Sequence, residues 1–347
     1  MKEHREERHA TPTVPASFGI RSVAIIGLGL MGGSLGLALK RYCPDIKVMG
    51  YARREETRKL ALEMKACDQV TDDIVVAVRD AEMVVFCTPI LDIPNLVAKV
   101  RGALHPGTIV TDVGSTKAML MEQVGDLLAN RDACFVGSHP MAGSERTGME
   151  AAQDSLYVDA VVIVTPPDTG VDKECRASSA AATDCRPPDS GIETEVEGRN
   201  PLRPDSKGGS EFFRSTPCAI VQGLWRAVGA RVVVIGASEH DAIVAGTSHV
   251  PHLVAALLVR AAARVTDQPG PYCGTGFKDA TRIASGSEWV WHDIVKSNAS
   301  SIAYSLQGVR SDIDMLLDAL DREDFDAVRE LLGEARALRE GIVGGRR

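Results

Sequence analysis

The 347-residue chain lacks any dense run of lysine and arginine, any leader-like apolar segment and any CxxC pair. Its formal charge is −8, with acids and bases spread along the sequence, so it offers no electrostatic footprint for DNA or RNA. The first 18 residues, MKEHREERHATPTVPASF, are charged and proline-bearing where a secretory signal would carry an apolar core. No later run reads as long and apolar enough to span a bilayer. These absences predict a cytoplasmic protein whose residues 1–19 form a disordered tail. The eight cysteines (43, 67, 87, 134, 175, 185, 218 and 273) are irregularly spaced in a chain too large to need covalent staples. They are expected as reduced core residues, without a metal site. No internal repeat is evident, and the last helical segment is expected to end near Val343 without a regulatory module after it.

With 44% hydrophobic residues the chain can bury a substantial core in one large or two ordinary domains. From Ser22 onward, short apolar runs alternate with helix-length amphipathic segments. SVAIIG, IKVMGYA, MVVFCTP, TIVTDVG and AVVIVTP read as strands, an alternation that predicts a parallel sheet covered by helices on both faces. After RVVVIG, residues 231–236, the strands stop and the periodicity is helical. Ile313, Leu316, Leu317, Leu320, Phe325, Val328, Leu331 and Leu332 mark broad apolar stripes there. The expected class is therefore α/β, with a doubly wound sheet domain over 20–236 followed by an all-α domain over 237–345. Residues 167–210, rich in Pro, Ser, Gly, Asp and Arg, carry no periodic apolar face and read as a disordered insertion.

The strand SVAIIG runs into GLGLMGGS, which places Gly27, Gly29 and Gly32 in GxGxxG spacing at the start of a helix. The first glycine permits a tight turn, the second lets backbone approach a pyrophosphate, and the third lets helix pack on strand. Leu30 and Met31, within the loop, and Thr88 and Pro89, ending a neighbouring strand, complete the expected dinucleotide site. At the end of the second strand, where an acid commonly meets the ribose hydroxyls, GYARREE offers Arg53 and Arg54. Guanidinium groups bind a 2′-phosphate where a carboxylate repels it, so the cofactor is NAD or NADP with a lean to NADP. Two solvated arginines opening a helix would look the same, and Glu55 or Glu56 could still reach the ribose.

Four further segments carry polar chemistry. DVGSTK places Asp112, Ser115 and Lys117 after a strand, at the carboxyl edge where open α/β folds bind ligands; Ser115 could equally be a helix cap. FVGSHPMAGSERTG brings His139 out at the same edge. In SEHDAIVAGTSHVPH, an unbroken helix would place Asp241, Ser248 and His252 on one face and His249 a quarter-turn away. Pro251 deprives the Thr247 carbonyl of its partner and predicts a kink. For either histidine alone, a satisfied core ring is the plainer reading. In GTGFKDATRIASGSEWVWHDI, Lys278 and Arg282 share a helix face as an anion clamp, with Asp279 able to pair with Arg282. An exposed helix start followed by core tryptophans is the alternative.

The order and character of GLGLMGGS, DVGSTK, GSHPMAGSERTG, HDAIVAGTSHVPH and GFKDATRIA resemble the prephenate dehydrogenase family, which includes arogenate and cyclohexadienyl dehydrogenases. The resemblance spans about residues 20–345 apart from the insertion. It implies a Rossmann domain followed by a helical domain that forms a homodimer. The implied activity is oxidative decarboxylation of prephenate, or of arogenate, in tyrosine biosynthesis. By motif position it implies that His139 bonds the ring hydroxyl of substrate, that Ser115 assists, and that Ser144 and Glu145 line the pocket. It further implies that Asp241 and His252 form a polar helix pair and that Lys278 and Arg282 receive substrate carboxylate. Two rival readings fit the residues less well. β-Hydroxyacid dehydrogenases carry a catalytic lysine early in the helix after the sheet, and residues 238–263 contain none. A nucleotide sensor that has lost its chemistry would have no reason to keep His139, His252, Lys278 and Arg282 together.

Overall fold

The computed structural model describes residues 18–143, 146–166, 167, 216–266 and 268–344. The expected insertion, all but Pro167, and the expected tail, all but Phe18 and Gly19, lie outside the described residues. Phe18 does not belong to a free tail: it packs on the core, where a Cβ on Gly223 would meet it at 2.5 Å. The chain divides into two compact units, Met1–His240 and Asp241–Arg347.

The first unit opens as β1 (Ser22–Ile26), α1 (Leu30–Tyr42), β2 (Lys47–Tyr51), α2 (Glu55–Glu63), β3 (Gln69–Thr71), α3 (Ile74–Val78) and β4 (Met83–Phe86). It continues with α4 (Ile93–Val100), β5 (Thr108–Asp112), α5 (Ala118–Leu128) and β6 (Ala133–Phe135). These six strands form one parallel sheet in the order β3-β2-β1-β4-β5-β6, the doubly wound dinucleotide-binding order. Alternation along each strand feeds two cores. Val23, Ile25, Met83 and Val85 face one side with Leu35 and Leu39 of α1. Ala24, Ile26, Val84 and Phe86 face the other with Ile93 and Val97 of α4 and Leu120 and Val124 of α5. Each fully buried branched side chain stabilises the fold by roughly 1.5–3 kcal/mol. Both faces being covered, the strands read as continuous apolar runs.

Not every strand joins that sheet. β7 (Gly137–Pro140), β8 (Val161–Thr165) and β9 (Arg231–Val234) form a second one of three strands, β7 antiparallel to β8 and β8 parallel to β9. The expectation of one parallel sheet running through AVVIVTP is thereby corrected. Between β8 and β9, α6 (Pro217–Ala227) starts on Thr216, whose hydroxyl accepts the Ala219 N–H at 3.3 Å, and buries Val221, Leu224 and Trp225.

Helix α7 (Ala237–Val244) crosses the division between the units and leads into a π-helical turn, Ala245–His249. The helical unit continues with α8 (Val250–Ala262), α9 (Thr275–Thr281), a 3-10 turn at Arg282–Ser285, α10 (Glu288–Ser297), α11 (Ala299–Asp321) and α12 (Phe325–Gly344). Its own core is small, built on Ala245, Val250 and Ile302 with Leu253, Val295, Leu306 and Val309 against them. The continuous helix Ala237–Ala262, 26 residues with a mean hydropathy of 1.7 in its most apolar window, is long and apolar enough by length and composition to cross a bilayer. That corrects the expectation that no run qualifies. Its buried His249 and His252 are nevertheless engaged by protein groups, as described below.

Candidate active site

The glycine loop is shaped by sterics. Gly27 has φ +104° and donates its N–H to Tyr51 O at 3.0 Å. A Cβ there would meet Cys87 O at 2.7 Å. On Gly32 a Cβ would strike the Gly27 carbonyl oxygen and come within 3.0 Å of Ile25 Cγ2, so this residue closes α1 onto β1. Gly29, the N-cap of α1, has open space around it. No side chain caps that terminus and no acid lies in its first turn, so the N–H groups of Leu30, Met31 and Gly32 are left to an incoming phosphate. Thr88 borders the loop, its Cγ2 3.0 Å from where a Gly27 Cβ would stand. Its buried hydroxyl has no protein partner. An open anion-binding terminus beside an orphaned hydroxyl fits a nucleotide pyrophosphate. Pro89 follows at the surface.

Arg53 and Arg54 lie between β2 and α2, both exposed, with Arg54 as N-cap of α2. Among the described residues neither makes a salt bridge, whereas Glu55 is committed to Lys59 at 2.7 Å.

Around the DVGSTK loop a buried network joins β5 to β7. The Asp112 carboxylate accepts the Ser138 N–H at 3.0 Å on one oxygen. Its other oxygen accepts the Gly114 N–H at 2.8 Å and Lys117 Nζ at 2.6 Å. Both members of the ion pair are fully buried. Ser138 Oγ donates to Asp112 O at 2.5 Å, which leaves Thr111 Oγ1 as the donor in its 2.9 Å bond to Ser138 Oγ. Gly137 makes room for the lysine, since a Cβ there would meet Lys117 Cδ at 2.8 Å. Ser115 sits half-buried in this loop and is not a helix cap: α5 begins at Ala118 with Lys117 in the cap position.

His139, directly after Ser138, lies within β7 rather than at the edge of the parallel sheet. It is 8% exposed, so the strand buries the ring despite its small and polar neighbours. Its Nδ1 lies 2.9 Å from Nε2 of His240, with the rings edge to face at 5.1 Å. His240 is fully buried. Sequence reasoning missed it, passing over it for Asp241 beside it; the signal available was a third histidine in the same short helical segment.

In the helical unit, Asp241 is buried and its main-chain oxygen accepts Asn298 Nδ2 at 2.8 Å. The π turn alters the expected helical phase. Val250 N–H bonds Ala245 O, five residues back, so the break expected at Pro251 is absorbed just upstream of it. As a result His249 is not set aside: its Nδ1 lies 3.3 Å from the same Asn298 amide. His252 stacks on Trp291, centroids 3.5 Å apart and planes 17° from parallel. A Cβ on Gly286 would touch both rings, at 2.9 Å and 2.8 Å. Burial holds the His252 ring below its usual range. Lys278 and Arg282 are exposed, Lys278 on α9 and Arg282 where α-helix gives way to the 3-10 turn. Among the described residues neither forms a salt bridge, so the expected Asp279–Arg282 pair is not made. Trp289, at 76% exposed, is not a core residue. Ser144 and Glu145 lie outside the described residues.

A sheet of this order with this glycine loop defines a nicotinamide-dinucleotide oxidoreductase of Rossmann type. Residues 35–177 match the family model described as "Prephenate dehydrogenase, nucleotide-binding domain", and residues 236–334 match "Prephenate dehydrogenase, dimerization domain". The chain is 30% identical to a cyclohexadienyl dehydrogenase of Zymomonas mobilis, over 92% of this chain and 95% of that one. It is 27% identical to a prephenate dehydrogenase of Bacillus subtilis, over 92% and 76% respectively. The crystal structure of prephenate dehydrogenase from A. aeolicus in complex with hydroxyphenyl propionate and NAD+ superposes with a TM-score of 0.74 at 27% identity. That match covers 93% of this chain and 99% of that one. The chain belongs to the prephenate dehydrogenase family.

Proposed function

We propose that the chain oxidatively decarboxylates prephenate to 4-hydroxyphenylpyruvate, with hydride passing to NAD or NADP. The observation that carries this reading is the buried His139 imidazole, held through Nδ1 by a second imidazole in a chain whose two parts match the two domains of this family. The nicotinamide ring, when bound, supplies the hydride acceptor. Prephenate bears a hydroxyl on the ring carbon that loses hydride and a ring carboxylate that leaves as carbon dioxide. His139, accepting the hydroxyl proton at Nε2, acts as general base while the C–H electron pair departs as hydride. Loss of carbon dioxide then returns an electron pair through the ring to that oxygen, which recovers the proton as the ring becomes aromatic. Ser115 assists at the hydroxyl. Ser144 and Glu145 line the pocket, and Asp241 and His252 supply its polar helix pair. Lys278 and Arg282, cations without acidic partners among the described residues, receive the carboxylates of a dianionic substrate.

The exposed Arg53 and Arg54 favour NADP. The helical unit pairs two copies as a homodimer, and the site of action is the cytoplasm. Arogenate, or both acids, is the second reading, favoured by the likeness to a cyclohexadienyl dehydrogenase. Purified protein offered prephenate or arogenate, each with NAD or NADP, decides among these when nicotinamide reduction is followed. Prephenate turnover is the expected result; no turnover in any of the four combinations overturns the enzymatic reading in favour of a nucleotide-binding protein without chemistry.

A further inference from the structure

We propose that His240 is a positioning residue for the reaction, fixing the tautomer of His139 by accepting its Nδ1 proton. The inference rests on the reading of His139 as general base. A neutral imidazole carries one proton, and only the tautomer protonated at Nδ1 leaves Nε2 as an acceptor. The 2.9 Å contact joins His139 Nδ1 to His240 Nε2, and both rings are buried. In this pair the productive arrangement is a His139 N–H donating to His240. With the proton reversed, His139 would carry hydrogen on Nε2 and could not take one from a hydroxyl.

The pair acts again once His139 is charged. The imidazolium keeps its Nδ1–H aimed at the lone pair of His240, a charge-assisted bond stronger than the neutral one. His240 therefore raises the basicity of His139 as well as orienting it, the part a buried carboxylate plays in serine hydrolase triads. His240 is itself held from behind, because its backbone N–H bonds Gly236 O at 2.8 Å at the start of α7, directly after β9. One ring thus comes from β7 and the other from the helix that follows β9, and β8 between the two strands presents Val162, Ile163 and Val164, none of which titrates. Charged groups on the other elements packed nearby are Asp112 and Lys117, which neutralise each other, and Glu239 and Asp241 flanking His240 on α7.

The test compares H240L, H240N and H139N in the full chain, with prephenate and saturating nucleotide. H240L should lower kcat about tenfold or more with KM little changed, and should move the acid limb of the kcat profile to lower pH. H240N, whose amide oxygen can accept the Nδ1–H, should recover much of kcat. Circular dichroism and cofactor affinity check that each variant is folded. Unchanged kcat and pH profile in a folded H240L overturns the proposal, as does equal impairment of H240L and H240N with the acid limb unmoved. If H139N itself retains turnover, the reading of His139 fails; if H139N is inactive and H240L is normal, only the role of His240 fails.

Discussion

His252 shows how a single residue couples the helical unit to pH. The Trp291 face against which it stacks favours a cation, yet burial is the larger effect and holds the ring below its usual 6.5. The folded state then takes up this proton at lower pH than the unfolded state does. Stability that is intact above about pH 6.5 is therefore lost as pH falls through the folded value. Urea unfolding at pH 7.5 and pH 5 should show a larger drop for the wild type than for H252Q, and equal drops would remove His252 as a source of acid sensitivity. At this scale the sequence was legible in residue types and less so in partners. The character of DVGSTK pointed to Asp112, Ser115 and Lys117, but not to a fully buried Asp112–Lys117 pair that braces the strand carrying His139. Removing one member of such a pair strands a buried charge, whereas its presence in a sequence looks like any surface pair. His240 went unseen for a related reason, since its partner lies 101 residues away.

Among elements, the parallel sheet was the most legible because burial on both faces writes itself as unbroken apolar runs. The same property hid the second sheet: VVIVT of β8 has the composition of a parallel-sheet strand, and only pairing with β7 reveals where it belongs. The π turn was hidden differently. Pro251 announced a disturbance, but not that the backbone winds an extra residue instead of kinking, nor that His249 would then lie 3.3 Å from the Asn298 amide. The β2–α2 junction carries a prediction at this scale. There two exposed arginines without a salt bridge among the described residues stand at the helix N-terminus, and Glu55 is drawn to Lys59 instead. Replacing Arg53 and Arg54 together by alanine should raise KM for NADP about tenfold or more while leaving NAD within a fewfold, given the strength of charge-assisted bonds. Equal changes for both nucleotides in steady-state kinetics would return these residues to the solvent.

For the molecule as a whole, the two units differ in how completely each satisfies itself. The sheet unit buries two extensive clusters, one on each face, whereas the cluster of the helical unit is small, with Ala245, Val250 and Ile302 at its centre. Along α11 and α12, Ile313, Met315, Leu317, Phe325, Leu332, Leu338 and Ile342 are each more than half exposed, and α12 buries none of its residues. The apolar stripes read from the sequence are thus helical as expected, but much of their surface faces outward instead of closing a monomeric core. Large apolar side chains exposed in this number are the mark of an interface where they form a patch, and residues 236–334 match a family model named for dimerisation. Each large side chain covered on association contributes roughly 1.5–3 kcal/mol before the costs of association are subtracted. Two glutamates introduced on this surface should therefore outweigh what remains. Sedimentation velocity should give the wild type twice the 37.0 kDa chain mass and the L317E/L338E variant the single-chain mass, with its helical dichroism retained. A wild type sedimenting as a single chain at micromolar concentration, or a double variant that stays paired, would show that these stripes do not hold two copies together.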